Sequence, residues 1–145
     1  MIPAAGAGIR MRGDRPKQFL ALDGKPLLAH TLAVFERCPA VGFVVVAVPG
    51  ESVAYCEREI VARFDLSKVR RVVAGGARRQ DSVRLGVEAC AGACDIVVVH
   101  DGVRPLVGRG LIERAVNGSR EHGAVIAALP ATETIKEVDA VGVVL

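Results

Sequence analysis

The sequence of 145 residues contains no long hydrophobic run. A transmembrane helix needs about 20 consecutive apolar residues, and the apolar run at residues 43–48 is far shorter. The first residues carry neither a basic start nor an apolar stretch of signal-peptide length. These absences argue against a membrane as the partner of this chain, and we expect a soluble protein in the cytoplasm.

Cysteine is sparse and carries no recognisable motif. The cysteines at positions 38, 56, 90 and 94 form no CxxC pair, so a disulfide framework is not expected. Cys90 and Cys94 would share one face of a helix, but neither a histidine nor a second cysteine pair stands at zinc-ligand spacing. We therefore expect all of them to be small buried apolar side chains.

An excess of one charge is also absent from most of the chain. The formal net charge of +3 excludes a strongly basic nucleic-acid-binding protein, and no nucleic acid is expected as a partner. Residues 1–20 hold Arg10, Arg12, Arg15 and Lys17 against Asp14 alone, and the remaining residues balance at 15 charges of each sign. The whole excess therefore lies in one short segment.

Short β-branched runs alternate with segments of helical spacing. The runs lie at residues 43–48, 69–73 and 96–100, with a weaker one at 124–129. They are apolar or nearly so throughout, which is typical of strands buried on both faces of a parallel sheet. Helical spacing occurs at residues 27–37, 52–64, 81–91 and 111–122. This order predicts an α/β sandwich with right-handed crossovers.

Residues that begin and end helices support these boundaries. Pro26 suits a first helical turn, Asp81 or Ser82 would cap the third helix, and Gly123 would end the fourth. No linker or repeat interrupts the chain, so we expect residues 1–145 to form a single domain. Little precedes the first loop, and residues 141–145 resemble the start of a strand, so we expect this domain to be incomplete at both ends.

A loop of small residues follows the short strand remnant at the beginning of the chain. Small side chains at residues 3–11 allow backbone N–H groups to approach phosphate oxygens. Met11 stands where a dinucleotide fingerprint needs glycine, and Gly13 lacks the following Lys and Ser or Thr of a Walker A loop. What remains is a loop followed by Arg10 and Lys17, which could reach a triphosphate from different sides. The alternative is a tight turn with solvated charges.

Two further polar clusters follow predicted strands. One comprises residues 75–82, and the other comprises residues 100–105. Because ligands of open α/β sheets lie outside the carboxyl ends of the strands, the three loops should converge on one crevice. Asp101 could meet a metal-bound phosphate there, or it could cap a turn. His100 is better interpreted as a residue at the sheet end than as a base.

With these loops the sequence resembles the 2-C-methyl-D-erythritol 4-phosphate cytidylyltransferase family of the non-mevalonate isoprenoid pathway. The resemblance covers essentially the whole chain, through PAAGxGxRM at residues 3–11, PKQ at 16–18, GGxxRxxSV at 75–83, HDxxRP at 100–105 and TxK at 134–136. It implies a Rossmann-like three-layer α/β/α sandwich with a mostly parallel sheet, of the nucleotide-diphospho-sugar transferase type. It also implies transfer of CMP from CTP to methylerythritol phosphate, with release of pyrophosphate and with Mg²⁺ as the cofactor.

The resemblance implies roles for individual residues. Arg10 and Lys17 would be catalytic, because they would stabilise negative charge as the substrate phosphate attacks the α-phosphorus of CTP. Arg104 and Thr134 would bind the polyol phosphate, and Asp101 would be the metal ligand. CTP would be bound by Pro3, Ala4, Ala5, Gly6, Ala7, Gly8, Gly76, Arg79, Ser82, Asp101 and Gly102.

The resemblance also has implications for assembly and leaves alternatives open. The segment near residues 134–145 looks like the start of the family's dimerisation β-arm, which implies a homodimer. Ile9, Ala77 and the pair Gly102-Val103 depart from the family's usual residues, and the family's later basic residues would lie beyond Leu145. A ribitol 5-phosphate cytidylyltransferase, whose family often has Val before Arg-Pro, and a non-catalytic nucleotide-binding module are the two alternatives.

Overall fold

Strands and helices alternate along the chain. The computed structural model describes residues 1–6 and 16–145. In chain order the strands are β1 (Ile2–Pro3), β2 (Ala21–Leu22), β3 (Lys25–Pro26), β4 (Val44–Val48) and β5 (Val69–Ala74). The helices are α1 (Leu27–Glu36), α2 (Val53–Tyr55), α3 (Arg79–Glu88) and α4 (Arg109–His122).

The central sheet is parallel, and β4 is its most deeply buried strand. β4 lies between β1 and β5, with Ile2 opposite Val46 and Val46 opposite Val72. Every residue of β4 is buried, as its uninterrupted apolar sequence predicts. β5 is the last strand in the order of this sheet, and its residues Arg70 and Arg71 are exposed. The expectation of a strand buried on both faces is therefore confirmed for β4 and wrong for β5.

The segment at residues 96–102 runs beside β1 without forming the regular strand that its sequence predicts. Met1 N donates to Val98 O at 2.8 Å, His100 N to Met1 O at 3.2 Å, and Gly102 N to Pro3 O at 3.2 Å. Met1 donates to one residue and accepts from the residue two positions further on, which is the hydrogen-bond pattern of two parallel strands. Pro3 has no N–H group, so one bond of the ladder cannot form. The prediction is right about the neighbour and wrong about the regularity.

The predicted strand at residues 124–129 is also wrong. These residues are exposed, with Ile126 89% and Leu129 92% accessible, and no described strand pairs with them. Further along, residues 137–145 form a small hairpin in which Asp139 N donates to Val143 O and Leu145 N to Glu137 O, both at 2.9 Å. Its side chains are exposed as well.

The predicted helices are present with small shifts at their ends. Pro26 directly precedes α1, and Gly123 ends α4 with a φ of +80°, which favours glycine. α3 begins before Asp81, so this residue is not the N-cap; its carboxylate instead accepts a hydrogen bond from Arg78 N at 3.1 Å. α2 continues as a wider π-helix over Cys56–Ala62, where the sequence predicts a single helix.

Side chains on the two faces of β4 contribute to different cores, which makes the fold three-layered. Val44, Val46 and Val48 pack in a cluster with α1 and with the helix that follows α2. Val45 and Ala47 face the opposite way, toward the end of α3. The α/β/α sandwich with a parallel central sheet is therefore confirmed. The described helices are all too short or too polar to cross a bilayer.

The cysteines are unpaired, and three of the four are buried. Cys38, Cys56 and Cys90 are buried as expected, whereas Cys94 is exposed, so that expectation is wrong for one residue. α3 ends at Glu88, before both cysteines, so Cys90 and Cys94 do not share a helical face. Burial raises the pKa of the Cys56 thiol to about 12, which keeps it protonated at neutral pH.

We predict that iodoacetamide at pH 8 alkylates Cys94 in the native protein and leaves the three buried cysteines unmodified. Burial blocks access, and a protonated thiol is a poor nucleophile. Peptide mass spectrometry would identify the modified position, and a Cys94→Ser variant should remove the native label. Modification of Cys38 or Cys56 without denaturant would contradict the core described above, while urea should expose every cysteine.

Candidate functional site

Three polar loops meet at the carboxyl ends of neighbouring strands. Residues 4–6 follow β1, Gly75 follows β5, and Gly102 ends the segment beside β1. Each loop is hydrogen-bonded to the sheet, since Ala4 N donates to Ala47 O at 2.7 Å, Gly75 N to Val48 O at 2.8 Å and Gly102 N to Pro3 O at 3.2 Å. The expected convergence is therefore present in the structure for the described part of these loops, and it forms one edge of the sheet as the ligand-binding edge of an open α/β fold does.

Small residues in the first loop allow this close approach. A Cβ atom at Gly75 would overlap the Cβ of Ala5 and lie 2.8 Å from Ser82 Oγ. A Cβ atom at Gly102 would lie 2.8 Å from the Cβ of Ala4. Each of the two alanines thus packs against a glycine of a different loop. The small side chains serve contacts between loops, in addition to the access to phosphate that the sequence suggests.

The second loop is folded onto the start of α3 by a buried serine. Ser82 is 3% exposed, and its Oγ accepts a hydrogen bond from Gly76 N at 3.1 Å. A Cβ atom at Gly76 would overlap the Cβ of Asp81, so the loop lies directly against the helix. Hydrogen bonds from Arg78 hold the pKa of the Asp81 carboxyl below its ordinary value. The loop is therefore fixed before any ligand binds.

Asp101 joins the second loop to the third through two ion pairs. Its Oδ1 accepts a hydrogen bond from Arg79 Nη2 at 2.7 Å, and its Oδ2 accepts one from Arg104 Nε at 2.9 Å. Arg79 is the first residue of α3, while Arg104 lies one turn beyond Asp101, whose carbonyl accepts from Arg104 N at 3.3 Å. Asp101 therefore does stabilise a turn, and it also pairs two guanidinium groups.

The balance of charge around Asp101 favours its ionised form. Partial burial raises the pKa of this carboxyl, but the hydrogen bonds and positive charges of Arg79 and Arg104 outweigh it, so the pKa lies below its ordinary value. The carboxylate side chain is 28% exposed, against 65% for Arg79 and 72% for Arg104. Two exposed guanidinium groups surround one shielded carboxylate, which leaves a local charge of about +1 suited to an anion.

A cavity of about 610 Å³ opens beside this cluster. All three charged residues line it, and apolar side chains that include Val99, Val103 and Leu111 form much of the remaining wall. Its size is that of a typical small-molecule site, with a few polar groups on an apolar surface. A second cavity of about 490 Å³ lies at the opposite end of the sheet, where Met1 and Phe43 contribute to its wall.

His100 points into the protein beside this cavity. Its ring lies 5.1 Å from the ring of Phe35, and its Nδ1 is buried with no hydrogen-bond partner among the residues that the structure describes. Burial lowers the pKa of the imidazole, and the charge of Asp101 opposes this only in part. The contact of the ring with Phe35, which belongs to the core, agrees with a residue at the sheet end.

The remaining predicted site residues lie away from the Asp101 cluster or outside the described part of the chain. Ala7, Gly8 and Arg10 lie outside the described residues. Lys17 is half-buried and begins the short 3₁₀ turn Lys17–Phe19, which Phe19 anchors in the core. Thr134 is exposed in the segment before the terminal hairpin. No hydrogen bond among residues 1–6 and 16–145 joins the side chain of Lys17 or Thr134 to the Asp101 cluster.

The sequence does not reveal the pairing of Arg79 with Asp101 or the apolar wall of the cavity. Arg79 and Asp101 are separated by 22 positions and belong to different loops, so no local spacing connects them. The sequence offers one indication that Arg79 and Asp101 lie close together: both follow predicted strands, and the loops after parallel strands meet at one edge of the sheet. The pairing of Arg104 with Asp101 is easier to predict, because Arg104 follows Asp101 by three positions in the same loop.

The donor set does not fit a resident magnesium ion. Both oxygens of Asp101 are engaged by guanidinium groups. No group of three or more His, Cys, Asp or Glu side chains that could hold a metal exists within the described part of the chain. Mg²⁺ commonly binds through one or two carboxylates together with substrate phosphates. An ion at this edge would therefore need ligands from a bound nucleotide.

The chain matches a known protein family over its whole length. The sequence model of the 2-C-methyl-D-erythritol 4-phosphate cytidylyltransferase family matches residues 1–145. The enzyme of that name from Geobacter metallireducens is 45% identical over 142 residues, which are 96% of this chain and 61% of the relative. The one from Syntrophotalea carbinolica is 47% identical over 137 residues, 94% of this chain and 59% of the relative.

A solved structure shares the fold. The 4-diphosphocytidyl-2C-methyl-D-erythritol synthase of Anaerococcus prevotii superimposes with a TM-score of 0.82 at 27% identity, over 99% of this chain and 59% of that chain. The chain thus spans about three fifths of the length of the curated relatives that it matches.

We predict that Gly75→Ala destabilises the protein by about 1–3 kcal/mol, because the added methyl group would overlap Ala5 and crowd Ser82. Gly42→Ala is the matched control, since a Cβ atom there would meet nothing within 4 Å. That variant should be neutral or gain up to about 1 kcal/mol from the reduced entropy of its unfolded state. Urea unfolding would measure both free energies. Equal stability of the two variants would contradict the close contact between the loops.

Proposed function

Since the chain belongs to the 2-C-methyl-D-erythritol 4-phosphate cytidylyltransferase family, we propose that it transfers CMP from CTP to 2-C-methyl-D-erythritol 4-phosphate. The products are 4-diphosphocytidyl-2-C-methyl-D-erythritol and pyrophosphate. The observation that carries this proposal is the meeting of three loops, two exposed arginines and a cavity at the carboxyl edge of the parallel sheet.

The reaction requires positioning and charge neutralisation more than proton transfer. An oxygen of the substrate phosphate attacks the α-phosphorus of CTP, and the bond from that phosphorus to the bridging oxygen breaks as pyrophosphate leaves. The nucleophile is already ionised, so no general base is needed. This agrees with the packing of the His100 ring against Phe35.

In this proposal Arg10 and Lys17 stabilise the charge that develops during the transfer. The backbone at Lys17 is fixed, because Phe19 N donates to Pro16 O at 2.9 Å and Leu20 N to Lys17 O at 3.2 Å. The fixed turn sets the position from which the Lys17 side chain reaches a phosphate, and a positioned cation is what electrostatic catalysis requires.

The nucleotide occupies the first two loops in this proposal. Small residues give the phosphates access to backbone N–H groups, and the loop at Gly76, held by Ser82, reads the cytosine and ribose. The proposed CTP-binding residues are Pro3, Ala4, Ala5, Gly6, Ala7, Gly8, Gly76, Arg79, Ser82, Asp101 and Gly102.

The polyol phosphate occupies the cavity near Arg104, with Thr134 as a further contact. Arg104 uses Nε for Asp101, and its two Nη atoms make no hydrogen bond to any described residue. A guanidinium edge that is free and 72% exposed suits bidentate binding of a phosphate.

The magnesium ion belongs to the nucleotide substrate in this proposal and enters with CTP. As a ligand of that ion, Asp101 would have to release one of its arginines. We also propose a homodimer, which is supported by exposed apolar residues of the hairpin at residues 137–145, including Val141 and Val143. A cytoplasmic location stays an expectation from the sequence.

A ribitol 5-phosphate cytidylyltransferase is the second candidate. Val103 lines the cavity together with Arg104, so the residue that departs from the usual family pattern lies where an acceptor would bind. The third possibility, a non-catalytic nucleotide-binding module, would bind CTP without releasing pyrophosphate.

These functions are separated by assays of pyrophosphate release and of nucleotide binding. The purified protein would be supplied with CTP, UTP or ATP and with either polyol phosphate. We expect release with CTP and methylerythritol phosphate. A preference for ribitol 5-phosphate would show that this compound is the acceptor in place of methylerythritol phosphate. CTP binding without pyrophosphate release in all mixtures would favour the binding module.

We predict that Lys17→Ala lowers the rate of CMP transfer about 100-fold or more, as does Arg10→Ala, because each removes a preorganised charge. Lys25→Ala is the control, since Lys25 Nζ lies over the Phe64 ring at 5.1 Å and has no proposed role in transfer. Single-turnover kinetics of pyrophosphate release would compare the variants. Similar rates for Lys17→Ala and Lys25→Ala would remove Lys17 from the chemistry.

A further inference from the structure

The turn that carries Lys17 is anchored in the protein by an aromatic side chain. Phe19 N donates to Pro16 O at 2.9 Å, which closes the 3₁₀ turn around Lys17. Phe19 is 7% exposed and packs in the core beside α1, whereas Lys17 is only half-buried. Gln18 is buried as well, but its Nε2 makes no hydrogen bond to any described residue. The contact that anchors the backbone around Lys17 is therefore apolar.

Phe19 has an aromatic partner on a different element. The ring of Tyr55, at the end of α2, lies 5.1 Å from the ring of Phe19 with the two planes at 72°. This edge-to-face arrangement is one that aromatic pairs favour. Tyr55 is 37% exposed, so the pair lies where the core meets the surface. A contact between rings does not require the hydroxyl group, so a phenylalanine at position 55 would preserve it.

α2 begins at the edge of the sheet that carries the candidate site. After β4 ends, the chain passes through the 3₁₀ turn Gly50–Ser52 and enters α2 directly. A Cβ atom at Gly50 would lie 3.8 Å from the Cβ of Ala74, the last residue of β5. The start of α2 is thus placed by the carboxyl ends of two parallel strands. From there α2 brings Tyr55 against Phe19.

We propose that Tyr55 is a positioning residue for Lys17: its ring holds Phe19, and Phe19 fixes the turn from which Lys17 reaches the nucleotide phosphates. The inference rests on the proposed function and deepens it, because it names a residue outside the three loops on which the position of the Lys17 charge depends. Tyr55 contacts neither substrate. Without its ring Phe19 gains room to move, together with the backbone that carries Lys17, and a small misplacement of a catalytic group lowers the rate.

Amide hydrogen exchange tests the anchoring without any substrate. The amides of Phe19 and Leu20 donate to Pro16 O and Lys17 O and report on the turn directly. A short turn exchanges by local opening, and the usual strength of an aromatic pair corresponds to about a fivefold change in an equilibrium constant. We therefore expect both amides to exchange about fivefold faster in Tyr55→Leu, and Tyr55→Phe should exchange like the wild type. Urea unfolding would show that Tyr55→Leu is folded, and Tyr55→Met replaces it if it is not.

Single-turnover release of pyrophosphate from CTP and 2-C-methyl-D-erythritol 4-phosphate tests the consequence for the reaction. We expect the rate of the saturated protein to fall about tenfold in Tyr55→Leu, less than on removal of the Lys17 charge itself. The half-saturating CTP concentration should change less than about twofold, because the charge at Lys17 acts mainly in the transition state. In a Lys17→Ala background, Tyr55→Leu should have little further effect, since the group that it positions is gone.

Phe64→Leu is the matched control for a general loss of packing. Phe64 follows the same helical segment, packs partly buried against the same core, and has Lys25 Nζ over its ring at 5.1 Å. This variant should lose stability in urea, as a truncated aromatic residue does. It should leave the two turn amides and the rate of pyrophosphate release close to their wild-type values.

Several results would overturn the inference. The turn amides of Tyr55→Leu would exchange at the wild-type rate, or Phe64→Leu would accelerate them equally, or Tyr55→Phe would behave like Tyr55→Leu. An equal loss of rate from Tyr55→Leu in the wild-type and Lys17→Ala backgrounds would overturn it as well. Failure of the proposed function is a separate result, namely a wild type that releases no pyrophosphate; the exchange rates would then still decide whether Tyr55 holds the turn.

Discussion

The close approach of Ala4 and Ala5 to the glycines of two neighbouring loops is the contact on which the rest of the site depends. Side chains larger than hydrogen at Gly75 or Gly102 would meet these alanines directly. The contact is possible because β1 lies between β4 and the segment at residues 96–102, and β5 lies on the other side of β4, so the loops after these parallel elements end at one edge. Packing at this density leaves little room for substitution, and it fixes the loops without a ligand.

In the proposed function, positive charge is supplied by two different parts of the chain. The excess positive charge of the sequence belongs to the segment that contains Arg10 and Lys17, which we propose for the triphosphate. The pair Arg79 and Arg104 supplies a second positive region, moderated by Asp101. A reaction between two anionic substrates needs such separated regions, because each phosphate must be held while repulsion between them is reduced.

Errors in predicting the fold arose where a strand depends on its neighbours. Residues 124–129 have the apolar composition of a strand, yet they are exposed and have no described partner. Residues 96–100 have a partner, but Pro3 removes a donor from the ladder. Strand preference reflects packing against neighbours more than an intrinsic property of the backbone. Helices depend on local bonds, and their predicted positions were correct within a few residues for α1, α3 and α4.

The sequence by itself determined the α/β order, the burial of β4 and the resemblance to the family, because these depend on composition and spacing within short segments. Tertiary structure alone decided that Ala5 contacts Gly75 and that Asp101 is shared between Arg79 and Arg104. Arg79 and Asp101 are 22 positions apart. Their contact exists because parallel strands end at one edge of the sheet, a relation between distant segments that no local pattern records.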